Sequence, residues 1–525
     1  MDTYETLNRS WKSLSRILFG EEMGEMKDYE EWLRKYMERM YPRKSAISGE
    51  DVYIAVPDYS KDARFISMEE IPSLPKPEPL GINQVKDIDS IISALQERFL
   101  YSGNVILSNS RDVHSSTNVQ NSFHVLDSNF IIDSEYIAHS SQVRNGKHLV
   151  GCNYDAYSSF MVNGYETFRN SRCFELWKAF DDSDTYYTFG AHGCQNVLFS
   201  FNIKNKKNMI GNIEFQRDEF ASLKGKLLSE MGDELKRKKR LPSLLDMISM
   251  HKELPKIHGS LEVEEPTDIQ DKKPIEDAFT STSKIVLGKE LHGIDAYGKW
   301  LSRHICSFKH ARSVVSGKPT LKGLHFPYRL FPEDRLVTEA ESFRLGEMLK
   351  LDEGDLSSFQ SIQDSLWKIA FFISDIRLDE NRNMIDVATS NHSQNCYNGP
   401  VYSYNQYCAF CFWPRSSKYV FGSSMAFSSS FCIRAHNSLN LSRCFEVDSC
   451  SESSDLYFSH NCENVHDSMF CFNSKNLRHA IGDSPLPPEK YKSVKSNLLA
   501  QIYEELEKKK EIRWDVFNLG SQRIV

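Results

Sequence analysis

The chain has no apolar run approaching the roughly 18 residues that cross a bilayer, so no helical membrane span is expected. Its first residues, MDTYETLNRSWKS, lack the basic-then-apolar order of a secretory signal. Basic charge is not in excess: a net charge of −8 gives no bulk attraction to nucleic acid or anionic membrane. Cysteine is scarce in the first half, where only Cys152, Cys173 and Cys194 of the twelve precede residue 300. So uneven a spread does not read as a disulfide framework, and a reduced, cytoplasmic interior is expected. GxxxxGK[ST], GxSxG and HExxH are all missing, which removes the usual sequence marks of phosphate loops, serine hydrolases and zinc proteases. What is present is ordinary for a globular protein, with 40 % apolar and 26 % charged residues. At 525 residues the chain has room for two to four domains.

The chain compares well with itself at an offset of 268 to 271 residues. RILFGEEMGEMKDYEEWL (16–33) matches KIVLGKELHGIDAYGKWL (284–301), Ser48-Gly49 falls on Ser316-Gly317, and SRCFE (171–175) recurs at 442–446. CQNV (194–197) faces CENV (462–465), and FASLKGKLLSEMGDELKRKK (220–239) faces YKSVKSNLLAQIYEELEKKK (491–510). Collinear landmarks of this kind imply a tandem duplication. The expected copies are 1–250 and 283–525, with 251–282, charged and proline-containing, as a linker.

Each copy divides into three parts. The first is expected to be a helical cap (1–100 and 283–380), with Trp11, Leu14 and Leu18 on one face and Tyr29, Trp32, Leu33, Tyr36 and Met40 on a second stripe. The third (213–250 and 484–525) carries an amphipathic helix, striped by Leu223, Leu227, Met231 and Leu235, or by Val494, Leu498, Ile502 and Leu506. Between them, 101–212 and 381–483 show a period of six. Small residues return at Ser110, Ser116, Ser122, Ser128, Ser134, Ser140, Gly146 and Cys152, and aliphatic ones at Val113, Val119, Val125, Ile131, Ile137, Val143 and Leu149. No helix has that period. A stack of short parallel strands does, each hexad giving one strand and one corner. Asn121, Asp127, Asp133 and Asn145 precede the small residue, where Asx side chains tolerate left-handed backbone. The predicted class is therefore mixed α and β: a tandem, helix-capped parallel β-solenoid whose coil holds 12 or 18 residues. In the second copy the same columns read Ser424, Ser430, His436 and Ser442 against Phe427, Ile433, Leu439 and Phe445, one residue out of step with the SRCFE alignment.

Candidate chemistry is sparse. In the repeated SRCFE, Arg172, Cys173 and Glu175, with Arg443, Cys444 and Glu446, could form a reactive thiol beside a charged pair. The other reading is a core cysteine with a rim ion pair, which the base rate for intracellular cysteine favours. Cys408 and Cys411 form a CxxC. Cys432, Cys444 and Cys450 differ by multiples of six, as an internal column would, so no metal or other cofactor is expected. Two basic runs end the amphipathic helices: Lys236, Arg237, Lys238, Lys239 and Arg240, then Lys508, Lys509 and Lys510. They could meet RNA phosphate, or simply oppose the helix dipole.

The three-part layout with SRCFE and a following CxNV resembles uncharacterised prokaryotic β-solenoid proteins, some of which carry a CoA-transferase label. The resemblance spans both copies and brings no known activity, and no residue of this sequence supports that label. The expected role is a non-enzymatic cytoplasmic interaction or assembly protein, meeting a protein partner or itself, with no membrane contact and no small-molecule substrate identified. The alternatives are an RNA- or ribosome-docking factor using the basic runs, and a glycan-acting β-helix enzyme.

Overall fold

A computed structural model describes residues 3–75, 77–257, 261–264 and 268–521; parts of the expected linker and the last four residues lie outside them. The architecture is mixed α and β, dominated by two large sheets. One has sixteen strands between Ile106–Leu107 and Ile213–Glu214, and the other has thirteen between Ile376–Leu378 and Ser484–Pro485. All strand pairs in both are parallel except the terminal ones. Sequence neighbours along most of the first sheet do not pair. Each four-residue strand lies beside the next but one, twelve residues on: Glu135 beside Lys147, Val119 beside Ile131, Ser141 beside Asn153. The shorter of the two expected spacings is the observed one. Three longer strands, Ser159–Phe168, Ser171–Phe180 and Ser183–His192, pair directly and join the two stacks.

Inside, every third residue points to the core. Val119, Val125, Ile131, Ile137, Val143 and Leu149 form one buried cluster, and Ser116, Ser122, Ser128, Ser134 and Ser140 alternate with them, also buried. Each serine hydroxyl makes two bonds. Ser128 Oγ donates to the Leu126 carbonyl (2.8 Å) and accepts the Ser140 N–H (3.1 Å); Ser122 Oγ donates to Gln120 (2.8 Å) and accepts Ser134 N–H (3.0 Å). The corner N–H groups that the strand ladder leaves open are thus closed by side chains. Asn121, Asp127, Asp133 and Asn145 sit at φ of 46° to 51°. Left-handed backbone also falls midway between them, at His124, Phe130, Tyr136 and Gln142.

In the second sheet the inward residues are Ser417, Ser423 and Ser429 with Val420, Ala426 and Cys432, all buried. The expected columns at Ser424, Ser430, Ser442, Phe427 and Leu439 lie outside, one residue off. Doublets such as Ser423-Ser424 and Ser429-Ser430 make the two registers look alike in sequence, and burial separates them.

The helix Thr3–Phe19 covers the first sheet with Leu7, Trp11, Leu14 and Leu18, and Lys273–Leu287 does the same for the second. The amphipathic helices run Arg217–Lys238 and Pro488–Lys509, and bury Leu227, Met231 and Leu235, or Leu498, Ile502 and Leu506. Contacts recur at the expected offsets. Tyr186 OH donates to the Leu18 carbonyl (3.0 Å) and Tyr457 OH to that of Val286 (2.9 Å). Met23 N–H meets Ser15 Oγ (3.1 Å) and Leu291 N–H meets Ser283 Oγ (2.8 Å).

Three boundaries differ from expectation. The caps are not wholly helical: YEEWLRKYMERMY holds only the short helix Glu30–Leu33, and the strands Tyr41–Lys44, Asp51–Ile54 and Arg64–Ser67 follow, with Phe308–Arg312 and Pro319–Gly323 in the second half. The linker is shorter than 251–282, because helix already starts at Lys273. The later part of each cap is also exchanged, while its first helix stays on its own sheet. Residues of 52–101 join the core of the second sheet, while Phe326, Tyr328, Phe331, Phe371 and Phe372 join that of the first. The exchange is reciprocal in detail: Asn202 Nδ2 donates to the Phe371 carbonyl (2.9 Å), and Asn473 Nδ2 to that of Leu100 (2.8 Å).

Candidate functional site

The repeated pentapeptide puts side chains on both faces of its sheet. Ser171 opens a strand in which every third residue, here Cys173, points inward and the others face out. Arg172 points outward and ion-pairs with Asp184 one twelve-residue step on (2.6 Å); Arg443 does the same with Asp455 (2.6 Å). These bonds raise both guanidinium pKa values. Cys173 and Cys444 point inward, and burial pushes both thiols well up, away from thiolate. Phe174 packs on the cap, with its ring 5.0 Å from Phe19 in an edge contact. Glu175 and Glu446 are buried and tie down the chain after the amphipathic helix. Glu175 accepts the Leu244 N–H (2.9 Å) and Trp177 Nε1–H (2.8 Å); Glu446 accepts the Val516 N–H (3.4 Å) and the Arg434 guanidinium. Burial raises both carboxyls to about 7. The motif therefore joins core, cap, outer ion pair and tail; it does not present an accessible thiol.

Arg172 and Arg443 each end a row of rings on the outer face. Tyr136, His148 and Phe160 stack at centroid spacings of 4.5 and 4.9 Å, and Tyr407, Tyr419 and Phe431 at 5.0 and 4.8 Å. Each ring lies 271 positions from its counterpart. The neighbouring outer row repeats as well: Lys147, Ser159, Ser171 and Ser183 in one half, Lys418, Ser430, Ser442 and Ser454 in the other. The rings are half-buried and stacked face to face; Tyr136 and Phe160 also pack against the core of the first sheet's cap, and Tyr407 and Tyr419 against that of the second. His148 accepts or donates at Nδ1 with Ser10 Oγ (2.7 Å). Burial and Lys147 lower its pKa.

The chain matches no family model, no curated protein and no solved structure.

Five of the eight basic candidates find partners. Lys236 pairs with Glu21, Lys238 with Glu234, Lys239 with Asp28, Lys509 with Glu505 and Lys510 with Glu507. Lys239 and Lys510 are also the left-handed C-caps of their helices and lie 5.0 Å over Tyr29 and Tyr297. Arg237, Arg240 and Lys508 stay at the helix ends. Cys408, Cys411, Cys432, Cys450, Cys462 and Cys471 are free and buried with Cys444 in one interior cluster. Among the described residues the one group able to gather three metal ligands is Glu30, Asp127 and His139. Arg34 already pairs with both carboxylates there.

Sequence reasoning did not find the polar cluster buried where the second cap crosses the first sheet. Lys178 Nζ donates to Tyr328 OH (2.9 Å), which donates to Glu166 and lies 3.3 Å from Thr389 Oγ1. Burial lowers the Lys178 pKa and raises that of Glu166. Glu166 and Lys178 are twelve apart, so knowing the step length would have paired them; Tyr328 comes from the other half and leaves no local trace.

Proposed function

We propose that this chain is a non-enzymatic cytoplasmic interaction and assembly protein, built as two tandem copies of a helix-capped β-solenoid. The twelve-residue parallel step and the inward serine columns support the solenoid reading. The contacts repeated at offsets of 268 and 271, down to Tyr186 and Tyr457, support duplication. Free, buried cysteines suit a reducing compartment.

The observation that carries the function is the outer strip present twice: stacked rings, then an Arg–Asp pair, beside a Lys-Ser-Ser-Ser row. A regular row of half-exposed rings and hydroxyls, about 4.8 Å apart, suits an extended protein surface. Two copies of it suit a partner with two-fold symmetry, or a second molecule of this chain. The RNA- or ribosome-docking alternative draws less support, because five of its eight basic side chains already meet carboxylates. The glycan-enzyme alternative draws less too, since Glu175 and Glu446 are engaged inside the fold.

The test is sizing and mass spectrometry of the natively purified protein, alongside a variant carrying Tyr136→Ser, Arg172→Glu, Tyr407→Ser and Arg443→Glu. Co-elution with one protein, or as a defined assembly, that the variant loses is the expected result. A partner retained by the variant overturns the reading. An RNA-bearing particle released by neutralising both basic runs would replace it with the alternative.

A further inference from the structure

The two sheets face each other across a cleft whose walls are related by the same offset of 271. On one side lie Tyr154, Ala156 and Phe168 with Trp413 and Arg415; on the other Met425, Phe427 and Leu439 with Gln142 and Arg144. Adding 271 to 154, 156 and 168 gives 425, 427 and 439, and adding it to 142 and 144 gives 413 and 415. The cleft thus has two lobes, of about 120 and 110 Å³, that share Asp155, Ala156, Trp413 and Arg415. One wall of the larger is built of rings: Tyr154 stacks on Trp413 at 4.8 Å, with Phe168 and Phe326 beside them.

Arg144 ends the strand Ser141–Arg144 and Arg415 ends Phe412–Arg415. Both line the smaller lobe. Among the described residues these two make no ion pair, and Arg144 Nε is buried without a hydrogen-bond partner. Three acids lie near: Asp133 accepts from Asn121 Nδ2 (2.7 Å); Asp155, which lines both lobes, accepts from Thr167 Oγ1; and Glu166, which lines the larger lobe, accepts from Tyr328 OH. Asp155 Oδ1 and Glu166 Oε2 are buried without a partner, and burial raises both carboxyls toward the neutral form. Tyr157 and Tyr404, both exposed, stand near Arg415 at the rim. Burial and the charge of Arg144 hold the Arg415 pKa below its ordinary value. Two like charges sharing an apolar cleft repel and are costly to desolvate unless an anion joins them.

We propose that this cleft is a binding site for a small organic carboxylate, whose carboxylate is shared by Arg144 and Arg415 and whose aromatic or aliphatic body fills the ring-lined lobe. Paired guanidiniums are the natural partners of a planar carboxylate. A dry cavity of about 150 Å³ admits a benzene ring; the larger lobe, at about 120 Å³ and continuous with the smaller one through Arg415, takes a body no larger than that. This site is separate from the outer strips and stands whether or not they bind a protein.

The test is a thermal-shift and calorimetric titration of the full chain with 3-phenylpropionate and octanoate, against 3-phenylpropionamide and inorganic phosphate. The acids are expected to raise the melting temperature, with at least about tenfold weaker binding in Arg144→Gln and in Arg415→Gln. Without ligand, Arg415→Gln is expected to melt higher than the parent, because the like-charge contact is gone; an arginine with a purely structural role would give the reverse. Ala156→Phe, which copies the residue at the equivalent place in the other lobe, fills the cavity without touching charge and must also abolish the shift. No shift with either acid overturns the proposal. So does a shift kept in all three variants, or one matched by the amide or by phosphate.

Discussion

A hydroxyl inside a narrow core does what an aliphatic side chain cannot: it accepts the N–H one step along and returns its proton to a carbonyl two residues back. Removing one leaves a buried donor open, at a cost of about 1–3 kcal/mol. Ser128→Ala should lose that much in urea denaturation. Ser128→Cys should lose less, because Cys152 already stands in this column and accepts the Gly164 N–H at 3.4 Å. The neighbouring column holds an acid one step before Cys194. Asp182 Oδ1 accepts the Cys194 N–H (2.6 Å), Oδ2 is buried without a partner, and burial raises the carboxyl to about 8. The folded state therefore keeps a proton that the unfolded chain releases near pH 4. Its contribution is complete below that pH and is lost as pH rises to about 8. Asp182→Asn should flatten part of this slope and be more stable than the parent at pH 9 by a few kcal/mol, because each tenfold change in acidity is worth about 1.4 kcal/mol. Asn170 already serves one step earlier, accepting the Asp182 N–H (2.7 Å) and donating to the Ala179 carbonyl (2.9 Å). Unfolding curves at pH 5 and pH 9 check both points. The inner serines were legible in the sequence because their period is strict. The left-handed residues midway along each strand were not. Phe130 and Tyr136 adopt φ of 52° and 59°, a conformation unfavourable by about 1–2 kcal/mol for such residues, so composition gives no hint of it and only the ladder on both sides holds it.

Among the elements, the tails after the amphipathic helices each dock on a buried carboxylate, alongside other contacts such as Tyr187 OH to the Pro242 carbonyl (2.8 Å) and Tyr101 OH to that of Val516 (2.8 Å). Glu175→Ala should strand the Leu244 N–H, destabilise by about 1–3 kcal/mol, and loosen the short helix Leu244–Ser249. Limited proteolysis should then cut near 249–257 in the variant before the parent. Here the sequence was partly legible. Exact repetition marked SRCFE as important, yet a five-residue match cannot say whether a residue faces substrate or a tail 69 positions away. The amphipathic helices were legible because stripe and dipole agree. The strands of the caps were not: Tyr41–Lys44 and Asp51–Ile54 are four residues each and sit in segments rich in charge and proline. The second sheet was misread by one residue because its outer serines copy its inner ones, and the cleft was invisible because it needs both the step length and the relation of the two halves.

At the scale of the molecule, the exchanged caps set the unit of folding. Each half lends apolar side chains to the other's core, so neither core is complete alone. A chain cut between residues 257 and 268 should stay one particle on sizing and separate only in denaturant, while residues 1–257 made alone should pair with a second copy or aggregate; gel filtration distinguishes these outcomes. Linking the halves replaces a bimolecular exchange with an intramolecular one at millimolar effective concentration. That arrangement has a consequence in time. Trp177 and Phe189 on the first sheet wait for Phe326, Phe331 and Phe372. More than a hundred codons separate those two sets of residues. At roughly 5–20 residues per second, a ribosome making this protein holds an unfinished core for several seconds to half a minute. The nascent chain is then a client for chaperones in a way the finished molecule is not.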